Sequence, residues 1–373
     1  MSIDLLGIRL LLQLGSALPL PAPFPIMEAL RSLEVRSGSA GRDAFQMTLA
    51  LGKDTPLGSS LLTAGLLDPP NRIVITLLMG AIPEVLIDGI ITHTQTSFSP
   101  VPGESTLHVT GEDLSLMLDL EEQNRTFEAR LDSVIVLELL QPYIARYGLI
   151  PSITPTTDLP LPTERMPSQQ GTDWAHIQHL AQRNGFVFFV EPMAPGISRA
   201  YFGPDAPTGL PQPAVNVGFS GQRASSGPLQ GSFDALSSVS PRVSITEPNT
   251  GVEIPLTLPN LAAIPPVGRT ASALRTTIAR TTTGLSAPRA ILEGIASAAQ
   301  GSDPVQLSGE VDGVRYGQVL RSRRLVGVRG GGVTWDGFYK VDEVTHRIRP
   351  GEYKQSFSLK RGGFLALSPV VVP

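Results

Sequence analysis

The chain has 373 residues, with 29 Lys and Arg against 33 Asp and Glu; 41% of residues are hydrophobic and only 17% are charged. That length exceeds one small core, so two or three domains are expected. The near-neutral balance without a basic cluster argues against nucleic-acid binding, and the absence of cysteine excludes disulfides and thiolate metal sites and fits a reducing cytoplasm.

Two early segments are apolar enough to suggest a membrane. In "IDLLGIRLLLQLGSALPLPAPFPI", Asp4 precedes the apolar stretch and Arg9 interrupts it, unlike an export signal with a positive start and an unbroken apolar region. "RIVITLLMGAIPEVLIDGII" contains Pro83, Glu84 and Asp88, each costly in a bilayer. Both are read as strands, without stable membrane insertion, and the Asn124 sequon "NRT" is expected to stay unglycosylated. Glycine (37) and proline (34) lie outside low-complexity tracts, which predicts many turns between short strands and a mainly β fold.

Helical spacing appears next. Leu131, Ile135, Leu139, Leu140 and Ile144 form an apolar stripe, with Pro142 inside it as a kink or a boundary between two helices, and Gly148 as terminator. "TDWAHIQHLAQRNGFVFFVEP" follows: Thr172 or Asp173 caps a helix, Trp174, Ile177, Leu180 and Ala181 form its stripe, and Gly185 ends it before a dense β run. His176 and His179 share a face, as a metal pair can. They fall off the Trp174 stripe and no HExxH pattern surrounds them, so both are read as surface or interface histidines, with Trp174 in the core. A third helix is expected over Ser286–Gln300, with Pro288 in its first turn.

A skeleton recurs in Arg72–Asp113 and Arg323–Gly363. Each stretch has a basic residue before a β run (Arg72; Arg324), then Asp-Gly (Asp88-Gly89; Asp336-Gly337), Thr-His (Thr92-His93; Thr345-His346) and Pro-Gly-Glu (Pro102–Glu104; Pro350–Glu352). The glycine-containing pairs suit turns, and Leu107 and Val109, like Tyr353, Phe357 and Leu359, alternate as a half-buried strand does. Two antiparallel meanders are expected, by duplication of one β domain.

Chemistry-bearing motifs are sparse. The sequence has no GxSxG and no GxxxxGK[ST]. "RGGGVTWDG" is read as a loop joining strands, and the basic "LRSRRLVGVR" as a solvated strand edge or turn. The carboxylates Glu112, Asp113, Asp119, Glu121 and Glu122 are placed on the solvated side of a helical turn. No catalytic, cofactor-binding or metal-binding residue is expected, and no enzyme activity.

In "TDWAHIQHLAQRNGFVFFVEP", in "DGFYKVDEVTHRIRPGEYKQSFSLKRGG" and in the progression from "LIDGIITHTQTSF" to "ARLDSVIVLELLQPYIARYGL", the chain resembles the late control protein D family of contractile-tail phages, the baseplate hub proteins. The same fold forms the hub portion of valine-glycine repeat spike proteins of type VI secretion and occurs in extracellular injection systems. The resemblance spans most of the chain and is weakest from about Asp234 to Val314. It implies an α+β, mainly β architecture with two tube-like antiparallel β-barrels: residues 1–115, then a helical connector over 116–185, then a second barrel from 186–233 and 315–373, with 234–314 as an inserted domain or long loop. It further implies a homotrimer whose six barrels adapt a hexameric inner tube to a trimeric spike, in contact with other baseplate proteins. The protein would be made in the cytoplasm and built into a tail-like particle. No valine-glycine β-helix follows the second barrel, so the spike would be a separate polypeptide. A tail tube or spike-tip protein would carry one barrel or a β-helix. A carbohydrate-binding β module would need exposed aromatics, against two Trp and six Tyr here.

Overall fold

The computed structural model describes residues 3–5, 8–16, 19–39, 41–52, 65–80, 82–101, 103–159, 166–217, 225–246, 253–257, 268–269, 272, 274–278 and 303–367. The N-terminal third forms β1 (Ile3–Leu5), β2 (Ile8–Gly15), β3 (Leu20–Pro21), helix α1 (Phe24–Ala29), β4 (Leu30–Gly38), β5 (Ala44–Ala50), β6 (Arg72–Met79), β7 (Ile82–Ser97) and β8 (Thr106–Asp113). A middle layer follows: a 3-10 turn (Leu114–Asp119), β9 (Glu122–Thr126), α2 (Asp132–Tyr147), β10 (Leu149–Ile153), β11 (Ser168–Thr172), α3 (Asp173–Asn184), β12 (Phe186–Ala194) and β13 (Ile197–Pro204). The C-terminal part comprises β14 (Gln212–Asn216), β15 (Gln230–Phe233), β16 (Val239–Thr246), β17 (Glu253–Thr257), β18 (Arg275–Ile278), β19 (Val305–Asp312), a single turn α4 (Gly313–Tyr316), β20 (Leu325–Arg329), β21 (Gly337–Arg349) and β22 (Glu352–Arg361).

The fold is mainly antiparallel β. Fourteen strands join in one sheet whose path runs β1-β2-β6-β7-β8-β5-β4-β21-β22-β19-β15, with β20 beside β21 and β14 beside β20. Period-two burial drives this. On β2, Ile8, Leu10, Leu12 and Leu14 turn inward, and on β22 Tyr353, Gln355, Phe357, Leu359 and Arg361 do the same. The first set packs with Met47, Ile73, Ile75, Val109 and the α1 residues Ile26 and Met27. A second apolar core gathers Val305, Val326, Tyr339, Val341, Phe357 and Leu359.

The two expected barrels are not separate closed rings: among the described residues no strand path returns to its start. The reason lies in β4, whose edges are both taken, one by β5 and the other by β21 through Leu33↔Ile348, Val35↔His346 and Gly38↔Glu343. A strand so engaged has no edge left to close on β2. Ile348 and Tyr353 complete the seam by packing into the N-terminal core.

Both recurrent stretches fold as meanders, β6-β7-β8 and β20-β21-β22. Each middle strand carries an irregularity in its pairing with the third, between Ile91 and His93 and between Val341 and Glu343. Each third strand follows a glycine in the left-handed region, Gly103 (φ 82°) and Gly351 (φ 79°). The finer equivalences fail. Asp88-Gly89 lies inside β7 opposite Val74 and Ile73, whereas Asp336-Gly337 sits where a loop enters β21. His93 is exposed, whereas His346 is buried against Tyr353.

The strand pairings also redraw the expected segments. β12 and β13 form a three-stranded sheet with β10 and pack on α2 and α3, so residues 186–204 join the connector layer. β19, expected in the insert, pairs with β22 within the main sheet. The remainder of that insert shows a small sheet of β16, β17 and β18. The helix expected over Ser286–Gln300 falls outside the described residues. Helix α2 continues through Pro142 as one helix, and Gly148 and Gly185 end α2 and α3 in the left-handed conformation.

Candidate functional site

Thr172 caps α3 by accepting from the Ala175 N–H at 3.2 Å. The buried stripe runs Asp173, His176, Ile177, Leu180 and Ala181; it keeps the expected Ile177, Leu180 and Ala181 but takes Asp173 and His176 where Trp174 was expected. His176 is therefore inside rather than at the surface. It stacks on Phe127 with ring centroids 5.8 Å apart, and burial, then the charges of His179 and Arg183, hold its pKa below the usual value. His179 is exposed. Trp174 is half-buried at the edge of this core, edge-on to Phe188 at 5.6 Å and beneath the Arg42 guanidinium at 4.6 Å. Among the described residues no group of three His, Asp or Glu side chains is placed to hold a metal.

The carboxylates divide by environment. Glu121 and Glu122 are exposed, as expected. Glu112 and Asp119 are half-buried on Arg42, at 3.0 and 2.5 Å. Burial pushes the Asp119 pKa up, but its bonds from Arg42 and Thr172 prevail and hold it below the usual value. Asp113 departs furthest from the solvated reading: it is fully buried. Its carboxylate caps the 3-10 turn by accepting from the Ser115 N–H at 2.7 Å and also accepts from the Asp43 N–H at 2.6 Å. Burial, reinforced by the neighbouring Asp43 charge, pushes its pKa up to about 7.

Asp43 is gripped in turn by Arg323, at 3.0 and 3.3 Å, with both side chains under 5% exposed. The Arg323 guanidinium lies 4.3 Å over the Phe189 ring of β12. Its backbone is left-handed (φ 62°), held by a bond from its N–H to the Val341 carbonyl at 2.8 Å and by the Thr208 N–H on its own carbonyl at 2.9 Å. One side chain thus touches all three parts of the molecule. A second buried pair, Arg72–Asp88, does similar work: Arg72 also donates to the Tyr147 carbonyl at the end of α2, 2.9 Å away. The basic "LRSRRLVGVR" is therefore not a solvated edge. Arg323 is buried, and Arg321 donates to the Val85 carbonyl at 2.6 Å and pairs with Glu84.

The sequence reading missed Asp43, Arg72, Asp88 and Arg323. A signal existed for Asp88: a lone acid in "VLIDGII" must be paired if that run is buried. These clusters are enclosed and bonded internally, so their chemistry is that of an interlock between layers. The described residues also form an apolar pocket of about 190 Å³, partly open to solvent, lined by Val217, Leu229, Leu307, Val328 and Trp335 and the glycines 231 and 331. None of the helices is long and apolar enough to cross a membrane among the described residues.

By sequence, no family model and no curated protein matches the chain. By structure, it is similar to the tail protein from Neisseria meningitidis MC58 (TM-score 0.60, 13% identity), covering 96% of this chain and 98% of that one. It is similar to the 43 kDa tail protein of prophage MuSo2 from Shewanella oneidensis (0.63, 14% identity), covering 95% and 98%. A third likeness, covering 92% and 77%, is to an Escherichia coli component of the type VI secretion system, itself described as similar to the T4 tail proteins gp27 and gp5 (0.55, 11% identity). At such identities the likeness speaks to architecture, and along nearly its whole length this chain has the fold of phage tail proteins and of that secretion component.

Proposed function

We propose that this chain is the baseplate hub of a contractile tail or tail-like injection machine, a non-catalytic homotrimer joining a hexameric inner tube to a trimeric spike. The observation that carries this reading is the repeated meander, β6-β7-β8 and β20-β21-β22, each against its own apolar core in a fold shared with tail proteins. Three chains with two such halves each offer six related surfaces to a sixfold tube and three to a threefold spike. The β4–β21 seam supports the same role, because it fixes the spacing of the two halves within a chain. The enclosed charges, paired with one another, favour a structural over a catalytic part. Partners in this reading are the tube, the spike and other baseplate proteins, and the place of work is the assembled particle. Cryo-electron microscopy of that particle tests it by copy number. Three copies between tube and spike are expected; six per layer along the tail would make this a tube protein, and absence from the particle would remove the assignment.

A further inference from the structure

Turn 321–324 and loop 208–212 are clasped together. The Thr208 N–H donates to the Arg323 carbonyl at 2.9 Å, the Gln212 amide donates to the Arg321 carbonyl at 2.9 Å, and the Arg321 N–H donates to the Gln212 side chain at 2.7 Å. Between these bonds Leu210 stands in solvent, 85% exposed. Beside the preceding residue lies Arg324, its Nε 3.9 Å from where a Gly209 side chain would begin. Two neighbouring arginines are already engaged: Arg321 with Glu84, and Arg199 with Glu191. The Arg324 carbonyl accepts from the Val341 N–H at 2.8 Å, but its guanidinium makes no hydrogen bond or ion pair among the described residues; it is half-buried, near the charges of Arg321 and Arg199 and of their partners Glu84 and Glu191. An exposed apolar side chain close to a guanidinium with no side-chain bond partner is complemented by a carboxylate next to an apolar group.

The chain itself carries such a pair. Leu120 is 57% exposed and is followed by exposed Glu121 and Glu122. Among the described residues their side chains accept one hydrogen bond, from the Gln123 amide to Glu121 at 3.5 Å, although Arg125 lies further along β9. Other exposed acids near exposed apolar residues are committed locally: Glu104 to Ser99, Asp234 to the Leu236 N–H and Asp312 to the Val314 N–H. Glu28 with Phe24 on α1 is the remaining rival. Rotation about a symmetry axis keeps every residue at its own height, so complementary patches must share a level. The Arg324 turn borders the middle layer through the Arg323–Phe189 contact, and Leu120 closes the 3-10 turn that opens that layer, whereas α1 packs into the N-terminal core.

The geometry points to a head-to-tail contact between copies of this chain, in which Leu120, Glu121 and Glu122 of one copy seat on Leu210 and Arg324 of the next. This rests on the homotrimeric reading above. The test uses the natural absence of cysteine. Full-length Leu120→Cys and Leu210→Cys variants, one carrying a mass tag, are mixed and mildly oxidised. Mixed disulfide dimers should outnumber either homodimer severalfold beyond the statistical ratio of two to one. Arg324→Glu in the Leu210→Cys chain should cut that yield severalfold, and Glu121→Arg with Glu122→Arg in the other chain should restore it. A statistical mixture, an excess of homodimers, indifference to charge reversal, or better trapping of Leu210→Cys by Phe24→Cys would each overturn the contact. Three copies in the particle together with failed trapping would remove this contact and leave the hub reading. Successful trapping with a different copy number would do the reverse.

Discussion

Replacing Arg323 with Met tests the interlock directly. The substitution keeps the apolar length of the side chain over Phe189 but removes the cation between two buried carboxylates, Asp43 and Asp113. Removing one partner of a buried pair leaves an uncompensated charge and costs about 3–5 kcal/mol, and losing the guanidinium above Phe189 adds about 1 kcal/mol. Arg347→Met is the control. Its bond to Glu34 at 3.2 Å joins the same two halves but is half-exposed on both sides, so it should cost at most about 1 kcal/mol. The double variant Arg323→Met, Asp43→Asn removes the orphaned charge and should recover a large part of the loss. Urea unfolding followed by circular dichroism of the wild type, these three variants and Asp43→Asn gives all five stabilities at pH 7. Should Arg323→Met prove as mild as Arg347→Met, or the double variant as unstable as the sum of its singles, the interlock argument would be wrong.

Titration of Asp113 has a definite sign. A folded-state pKa raised above the unfolded carboxylate value contributes stability at low pH that is lost as pH rises from about 4 to about 7. The stability difference between wild type and Asp113→Asn should therefore shrink between pH 5 and pH 8; a widening difference would refute the assignment. His346 acts oppositely, since burial and then the Arg321 charge depress its pKa to about 3. Its contribution is lost as pH falls below about 6.5, so the wild type should lose ground against His346→Gln between pH 7 and pH 4.5. Trp174→Ala should cost about 2–3 kcal/mol, less than for a fully enclosed Trp because the ring is only half-buried. His176→Ala should cost about 1–2 kcal/mol through its contact with Phe127, while thermal denaturation should find His179→Ala neutral. Gly111→Ala would place a Cβ 2.2 Å from the Ile90 carbonyl oxygen, so the yield of folded protein should collapse. Gly80→Ala, with φ 68° and open space, should cost only about 1 kcal/mol.

Local periodicity carried the strands and helices well. "RIVITLL", "LHVTGED" and "EYKQSFSLKR" are strands, and the Thr172 cap and Gly185 stop bound α3 as the residues suggested. The errors came where one step of rotation or register decides burial. In α3 the expected stripe shares Ile177, Leu180 and Ala181 with the buried one, but the buried face extends to Asp173 and His176, the flank that a stripe through Trp174 leaves outside. Arg323 and Arg324 are adjacent, and a turn with left-handed backbone chooses which of them is buried. The β4–β21 pairing was illegible, because nothing near Leu33 encodes Ile348. Asp43 and Arg323 were missed for the same reason, being 280 positions apart.

That long-range seam bears on synthesis. Arg36 and its partner Glu343 are separated by 307 residues. At about 5–20 residues per second, β4 leaves the ribosome roughly 15–60 s before the strand that covers its outer edge. During that interval the nascent chain presents an unpaired edge to every other chain nearby, the usual opening for misassembly. β4 reads Leu-Arg-Ser-Leu-Glu-Val-Arg-Ser-Gly, with Arg31, Glu34 and Arg36 pointing outward between its apolar positions. Those charges later become bonds to β21, through Arg36–Glu343 and Glu34–Arg347. Before then they are gatekeepers, making a second β4 a poor neighbour while the correct one is still being made.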